Sequence, residues 1–205
     1  MKVLITGGSG DIAKSISEYL KKSGNKYEIY SPSRTELDVT DFSFTEKFIS
    51  ELCPDIVINN AGYIKVNSAR EGLFELDKNT LDINLTAVFN INMAAVKANN
   101  DVKIINIGSS AGTKARGEWT SYCASKAGLI MATSCWADEG IDVLTLSPGR
   151  TISKMRKALF PDEDQSGLMD PDDFALVVGK AIDGKYEVGT NIDVNLNNVK
   201  DLISE

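Results

Sequence analysis

Six short apolar runs, at 2–6, 27–30, 56–59, 102–107, 141–146 and 191–194, are separated by segments of helical periodicity at about 11–22, 42–52, 77–98, 119–138 and 171–182. Strand, helix, strand in succession points to a parallel sheet, because parallel neighbours need a crossover long enough to hold a helix. The runs Ile56-Val57-Ile58 and Val102 to Ile107 are nearly continuous in apolar residues, as in strands covered on both faces. The expected fold class is therefore α/β, a doubly wound parallel sheet with helices on both faces. With 205 residues, 42% of them apolar, a single domain over 1–205 without a linker is expected. The acidic stretch Pro161 to Asp164 reads as a solvated loop, and Asp170-Pro171-Asp172-Asp173 as the capped start of the helix that follows.

Charge and composition narrow the function. A net charge of −7, with no basic run beyond Lys21-Lys22, argues against nucleic acid or an anionic membrane as partner. No stretch approaches the roughly 18 consecutive apolar residues of a membrane span, and the opening Met1 to Gly8 is too short and glycine-rich for a signal peptide, so a cytoplasmic location is expected. The chain has no histidine, which removes the commonest zinc ligand and the usual general base, and no metal site is expected. Cysteines at 53, 123 and 135 lack metal spacing and are expected to behave as small buried hydrophobes.

On a sheet of this kind ligands bind beyond the carboxyl ends of the strands. The first such place is Thr6-Gly7-Gly8-Ser9-Gly10-Asp11-Ile12-Ala13, a glycine cluster between an expected strand and an expected helix. Glycines let the backbone turn sharply and approach a pyrophosphate, which the free N–H groups at the helix start then stabilise. Downstream, Tyr122 and Lys126 stand four apart on an expected helix and share a face, with Ser109 thirteen residues before Tyr122. A phenol titrating near 10 is a poor acid at neutral pH; lowering it by about three units takes roughly 4 kcal/mol of phenolate stabilisation. Lys126 is the candidate positive charge, and Ser109 is placed to donate to a substrate oxygen.

From Lys2 through Thr151 these features resemble the short-chain dehydrogenases/reductases, with a weaker continuation to the end. Thr6, Gly7, Gly8, Ser9, Gly10, Asp11 and Ile12 resemble the family's glycine turn; Asp38 and Val39 resemble its adenine-contacting pair; Asn59, Asn60, Ala61 and Gly62 match the motif after its fourth strand. Asn84, Ser109, Tyr122 and Lys126 fall where its catalytic tetrad stands, and Pro148, Gly149 and Thr151 resemble the loop over the nicotinamide. The resemblance implies a Rossmann-type sheet of seven strands in the order 3-2-1-4-5-6-7. It further implies that Tyr122 is the acid/base, that Lys126 also holds the nicotinamide ribose, and that Asn84 holds a water relaying the proton. No acidic residue ends the second strand; Ser33 and Arg34 there suit a 2′-phosphate, so NADP(H) is expected to be preferred, with NAD(H) as the alternative.

Four departures from the family pattern qualify this expectation. Asp11 replaces a glycine of the compact members; its carboxylate either repels a pyrophosphate or serves as a favourable acid at a helix start. Between Arg34 and Asp38 there is too little chain for the usual intervening helix. The lid, at about 151–170, is short, which suits a bulky, partly exposed substrate or a site completed by a second subunit. The final strand region, Val188 to Val194, lacks the Asp-Gly-Gly often found after it. Helices 77–98 and 119–138 carry apolar residues on more than one face, among them Leu81, Val88, Ile91, Met93, Leu129, Met131 and Trp136, which suits a homodimer or homotetramer. The expected function is an NADP(H)-dependent oxidoreductase acting on a small carbonyl or alcohol. A dinucleotide-binding sensor or scaffold, and a redox-neutral nucleotide-sugar epimerase or dehydratase, are the alternatives.

Overall fold

The strands alternate two sets of side chains, and each set builds its own core. In β1 (Lys2–Ile5), Val3 and Ile5 face one layer of helices while Leu4 faces the other. The same split recurs in β3 (Ile56–Asn59), β4 (Lys103–Ile107) and β5 (Val143–Pro148): Ile56, Ile58, Ile105, Ile107, Leu144 and Leu146 on one side, Val57, Ile104 and Val143 on the other. Period-two alternation with apolar residues in both phases dictates a sheet buried on both faces. The first face is covered by α1 (Asp11–Lys22), α7 (Pro171–Ile182) and α8 (Val199–Ser204), with Phe174 fully buried. The second is covered by α2 (Phe42–Leu52) and α4 (Ala87–Ala98), with α5 (Thr120–Asp138) beside them. This computed structural model describes residues 1–24 and 26–204.

With β2 (Glu28–Tyr30) and β6 (Asn191–Val194), the sheet has six parallel strands in the order β2-β1-β3-β4-β5-β6. This is the expected doubly wound order without one edge strand. After β2 the backbone turns at Ser33, whose carbonyl accepts from the N–H groups of Glu36 and Leu37, and α2 begins at Phe42. So few residues hold neither a helix nor a further strand. The Asn59 to Gly62 motif accordingly follows the third strand of this chain rather than the fourth. Strand order reverses at β1, so the carboxyl ends of β1 and β3 part there and leave a crevice.

Two further expectations are corrected. The helix expected over 77–98 is broken: α3 (Phe74–Leu81) passes through a π-turn, Asp82–Thr86, before α4. Cys53 and Cys135 are exposed and Cys123 is half-buried, because Cys53 lies just past the end of α2 and the other two on the outer side of α5, away from the packed stripe of Ser125, Leu129 and Thr133. Among the described residues no helix is long and apolar enough to cross a membrane.

Candidate active site

The turn after β1 is held by its neighbour across the crevice. Thr6, buried at the end of β1, accepts on Oγ1 from the backbone N–H groups of Asn60 (3.1 Å) and Ala61 (3.0 Å). Asn60 returns the contact, its Nδ2 donating to the carbonyls of Thr6 (3.0 Å) and Gly7 (3.3 Å). Gly7 has φ +68, a left-handed conformation open chiefly to glycine. A Cβ on Gly8 would stand 2.0 Å from the Ser31 carbonyl oxygen, so the turn lies directly against the end of the β2 segment. The N-cap of α1, Gly10, supplies no side-chain acceptor, which leaves the first N–H groups of that helix available to an anion.

These elements border a cleft of ≈ 380 Å³ that runs from Arg34, Asp38 and Val39 at one end, past Gly7, Ser9, Gly10, Asp11, Ile12, Asn60, Ala61 and Gly62, to Tyr122, Lys126 and Pro148 at the other. The glycine cradle and uncapped helix start suit the pyrophosphate of a dinucleotide. Asp11 does not confront that space alone: its Oδ2 accepts the backbone N–H of Lys154 at 2.6 Å, tying α1 to the first turn of α6 (Lys154–Leu159) in the lid. Of the residues expected at the cofactor, Thr6 and Gly8 lie behind the wall as supports, and Gly149 and Thr151 lie farther along, at a second cavity. Ser33 stands off the cleft, with its N–H (2.8 Å) and Oγ (2.7 Å) both donating to Glu36. Arg34 reaches Asp38 at 3.3 Å, and Asp38 also accepts from the backbone and hydroxyl of Thr40. Those bonds from Thr40, joined by Arg34, hold the Asp38 carboxyl below its usual range.

Tyr122 closes the other end. It borders both the long cleft and a second cavity of ≈ 120 Å³ lined by Ser109, Ala111, Trp119, Thr151, Met155 and Leu159 among others. Burial pushes the Tyr122 phenol above its ordinary value, while a hydrogen bond with Ser109 pulls it the other way. Lys126 is buried in the next turn of α5, its Nζ donating to the Ile107 carbonyl at 2.7 Å and standing 5.9 Å from the Tyr122 ring centroid. Burial lowers its pKa to about 8. The lysine is thus placed by the end of β4 rather than by the phenol, and the net direction at Tyr122 is opposite to the one expected from charge alone: removal from water outweighs the hydrogen bond with Ser109.

Asn84 sits fully buried within the π-turn. Its Oδ1 accepts from the Tyr63 N–H (2.8 Å), and its Nδ2 donates to the Tyr63 carbonyl (2.8 Å) and to Ser125 Oγ (3.3 Å). Ser125 in turn donates to the Tyr122 carbonyl at 2.7 Å. One side chain therefore links the loop after β3 to the turn of α5 that carries the phenol. The π-turn, a feature concentrated at functional sites, aims Asn84 there. Tyr63, Ser125 and Lys154 escaped the sequence reading; the only signal for Tyr63 was its place directly after Gly62, and for Lys154 its place at the start of a lid helix.

A doubly wound sheet with a glycine-lined cleft at its switch point and a tyrosine-lysine pair at the far end is the architecture of a dinucleotide-dependent enzyme. The short chain dehydrogenase family profile matches residues 33–164. The 3-oxoacyl-(acyl-carrier-protein) reductase FabG of Vibrio harveyi is 31% identical over 175 residues, 81% of this chain and 70% of that protein. The enzyme of the same name from Escherichia coli K12 is 32% identical over 178 residues, covering 82% and 70%. Among solved structures, levodione reductase superposes with a TM-score of 0.83 at 19% identity, covering 97% of both chains. A 4-hydroxyisoleucine dehydrogenase complexed with NADH gives 0.78 at 23%, covering 94% of this chain and 96% of that one. The chain belongs to the short-chain dehydrogenase/reductase family, and is an oxidoreductase that works with a nicotinamide cofactor.

Proposed function

We propose that the protein is an NADP(H)-dependent carbonyl reductase or alcohol dehydrogenase in which Tyr122 is the acid/base. The observation that carries this reading is the position of Tyr122 on the border of two cavities, one also bordered by the glycine turn and Arg34 and one smaller, with Ser109 beside it in the smaller. When bound, the reduced dinucleotide is the source of the hydride that goes to the carbonyl carbon. Tyr122 gives its proton to the carbonyl oxygen, so that C=O becomes CH–OH, and Ser109 donates to the same oxygen and orients it. Lys126, charged below about pH 8, stabilises the phenolate left behind. Asn84 acts as a positioning residue, through Ser125 and the backbone of Tyr63. Assays of ketone reduction with NADPH test the reading; a protein that binds the dinucleotide yet reduces no ketone would leave the sensor and the redox-neutral epimerase or dehydratase, which conversion of a nucleotide sugar without net redox change would tell apart.

For the preference between dinucleotides, Arg34 supports NADP(H): it borders the adenine end of the cleft, is exposed, and among the described residues is paired only with Asp38, in an i,i+4 contact of small worth. Ser33 contributes less, since Glu36 accepts both of its donors. Replacing Arg34 with alanine is expected to weaken NADP⁺ binding about tenfold, the scale of one charge-assisted phosphate contact, and to leave NAD⁺ binding within about twofold. Equal weakening of both in a fluorescence titration would remove Arg34 from the 2′-phosphate.

We also propose that the chain works as a homodimer. Phe89, Met93 and Met131 are 40%, 53% and 66% exposed on α4 and α5, and Phe89 meets Trp136 at 4.9 Å between ring centroids. Equilibrium sedimentation should return twice the chain mass, and Met131→Lys should shift it toward the monomer; a monomeric parent protein would dismiss the dimer.

A further inference from the structure

We propose that the substrate carries an anionic group, a carboxylate or a phosphate, which Arg116 and Arg150 receive at the mouth of the smaller cavity. This rests on the reading of Tyr122 as the acid/base above. In a chain of net charge −7, three guanidinium side chains, those of Arg116, Arg150 and Arg156, line the same small cavity as Ser109 and Tyr122. Two of them, Arg150 and Arg156, share one carboxylate. Glu163 holds Arg156 in a two-pronged pair, 2.5 Å on each arm, while Arg150 stands 3.7 Å away from it with its side chain 55% exposed. The Arg156 fork first, then Arg150 and Arg116, keep the Glu163 carboxyl below its usual range. Glu163 pairs closely with Arg156 and only loosely with Arg150, so the guanidinium groups of Arg116 and Arg150 leave net positive charge on the border of the small cavity.

Arg116 is also fixed in place. Its guanidinium lies over the Trp119 ring at 5.2 Å, and Trp119 meets Tyr122 edge-on at 5.7 Å. One aromatic ring therefore separates the cation from the catalytic phenol. Beyond the arginines the small cavity joins a second space of ≈ 340 Å³, with Ser110, Arg116, Gly149 and Arg150 on the border of both; Lys114 adds a cation there and Asp193 the opposing charge. A planar guanidinium held against an aromatic face suits a carboxylate or phosphate oxygen pair, and the Trp119, Met155 and Leu159 side chains between suit a short apolar linker to the carbonyl.

The test compares short oxo acids, oxoalkyl phosphates and the methyl esters of the same oxo acids as substrates with NADPH, in the parent protein and in Arg116→Gln, Arg150→Gln and the corresponding lysine variants. The parent should favour an anion over its ester about tenfold or more in kcat/KM, carried by KM and weakened by added salt. Each glutamine variant should lose most of that preference and each lysine variant recover part of it, with NADPH binding as the check that the variant is folded. The carboxylate and phosphate arms say which anion the site takes. Equal use of anion and ester by the parent, or a preference that survives both glutamine variants, overturns the proposal while ester reduction keeps the enzyme reading intact. A dependence on these arginines seen only when the acyl group is delivered on an acidic carrier protein overturns it too. If no ketone of any charge is reduced, the enzyme reading itself fails.

Discussion

Tyr122→Phe should lower turnover about 10²–10⁴-fold, the span that a positioned general acid supplies, while dinucleotide affinity stays within about threefold. The substitution removes one oxygen from a half-buried ring that keeps its packing on Trp119. Ser109 loses a partner, but its Oγ still accepts the Ala111 N–H at 3.2 Å, so the loop after β4 retains a local anchor. The change therefore separates chemistry from binding. A loss of affinity as large as the loss of turnover would mean that Tyr122 serves the wall of the cleft and not the proton.

The second large effect is expected at Lys126. Its pKa of about 8 in the fold lies below the ordinary 10.5, so folding disfavours its charged form. That cost is complete below about pH 8 and vanishes above about 10.5, and this one group makes the fold more stable as pH rises through that window. The magnitude is roughly 3 kcal/mol at neutral pH. Lys126→Met removes it, but strips the Ile107 carbonyl of its donor at a cost of about 1–3 kcal/mol. The two nearly offset, so the variant should melt within a few degrees of the parent at pH 7, with a flatter dependence between pH 8 and 10.5. Activity should fall about 10²-fold, since the phenolate loses its cation. In the parent, kcat/KM for ketone reduction should decline as pH passes about 8, and Lys126→Arg, charged throughout, should not show that limb. A methionine variant that is both active and unchanged in its pH profile would contradict the role given to the ammonium.

Most of the architecture was legible because it rests on local patterning. Runs such as Ile56-Val57-Ile58 are apolar in both phases and require cover on both faces, and the turn at Gly7 and Gly8 needs the one residue type that tolerates its φ and its contact with Ser31. What escaped depends on how distant segments meet. No residue type marks the π-turn at Asp82–Thr86 against the α-helix around it, because its i→i+5 bonds are set by how the segment packs and not by a signature residue. The rise at Tyr122 is not legible in the sequence, because desolvation is set by packing of segments far apart in the chain. Arg150 and Arg156 meet at Glu163 because the lid folds back toward the end of β5, a meeting of distant segments that no local pattern records. The sixth and last strand was visible as an apolar run, whereas the seventh was an inference from resemblance that the short span from Ser31 to Asp41 leaves no room for.

A crystal structure with NADP⁺ bound tests the central claim most directly. It should show the adenine ribose phosphate at Arg34, the pyrophosphate over the turn from Gly7 to Gly10, and the nicotinamide ring beside the Tyr122 hydroxyl with Lys126 at the neighbouring ribose. A dinucleotide seated elsewhere, or one whose ring points away from Tyr122 with the phenol still turned to Ser109 alone, would contradict it.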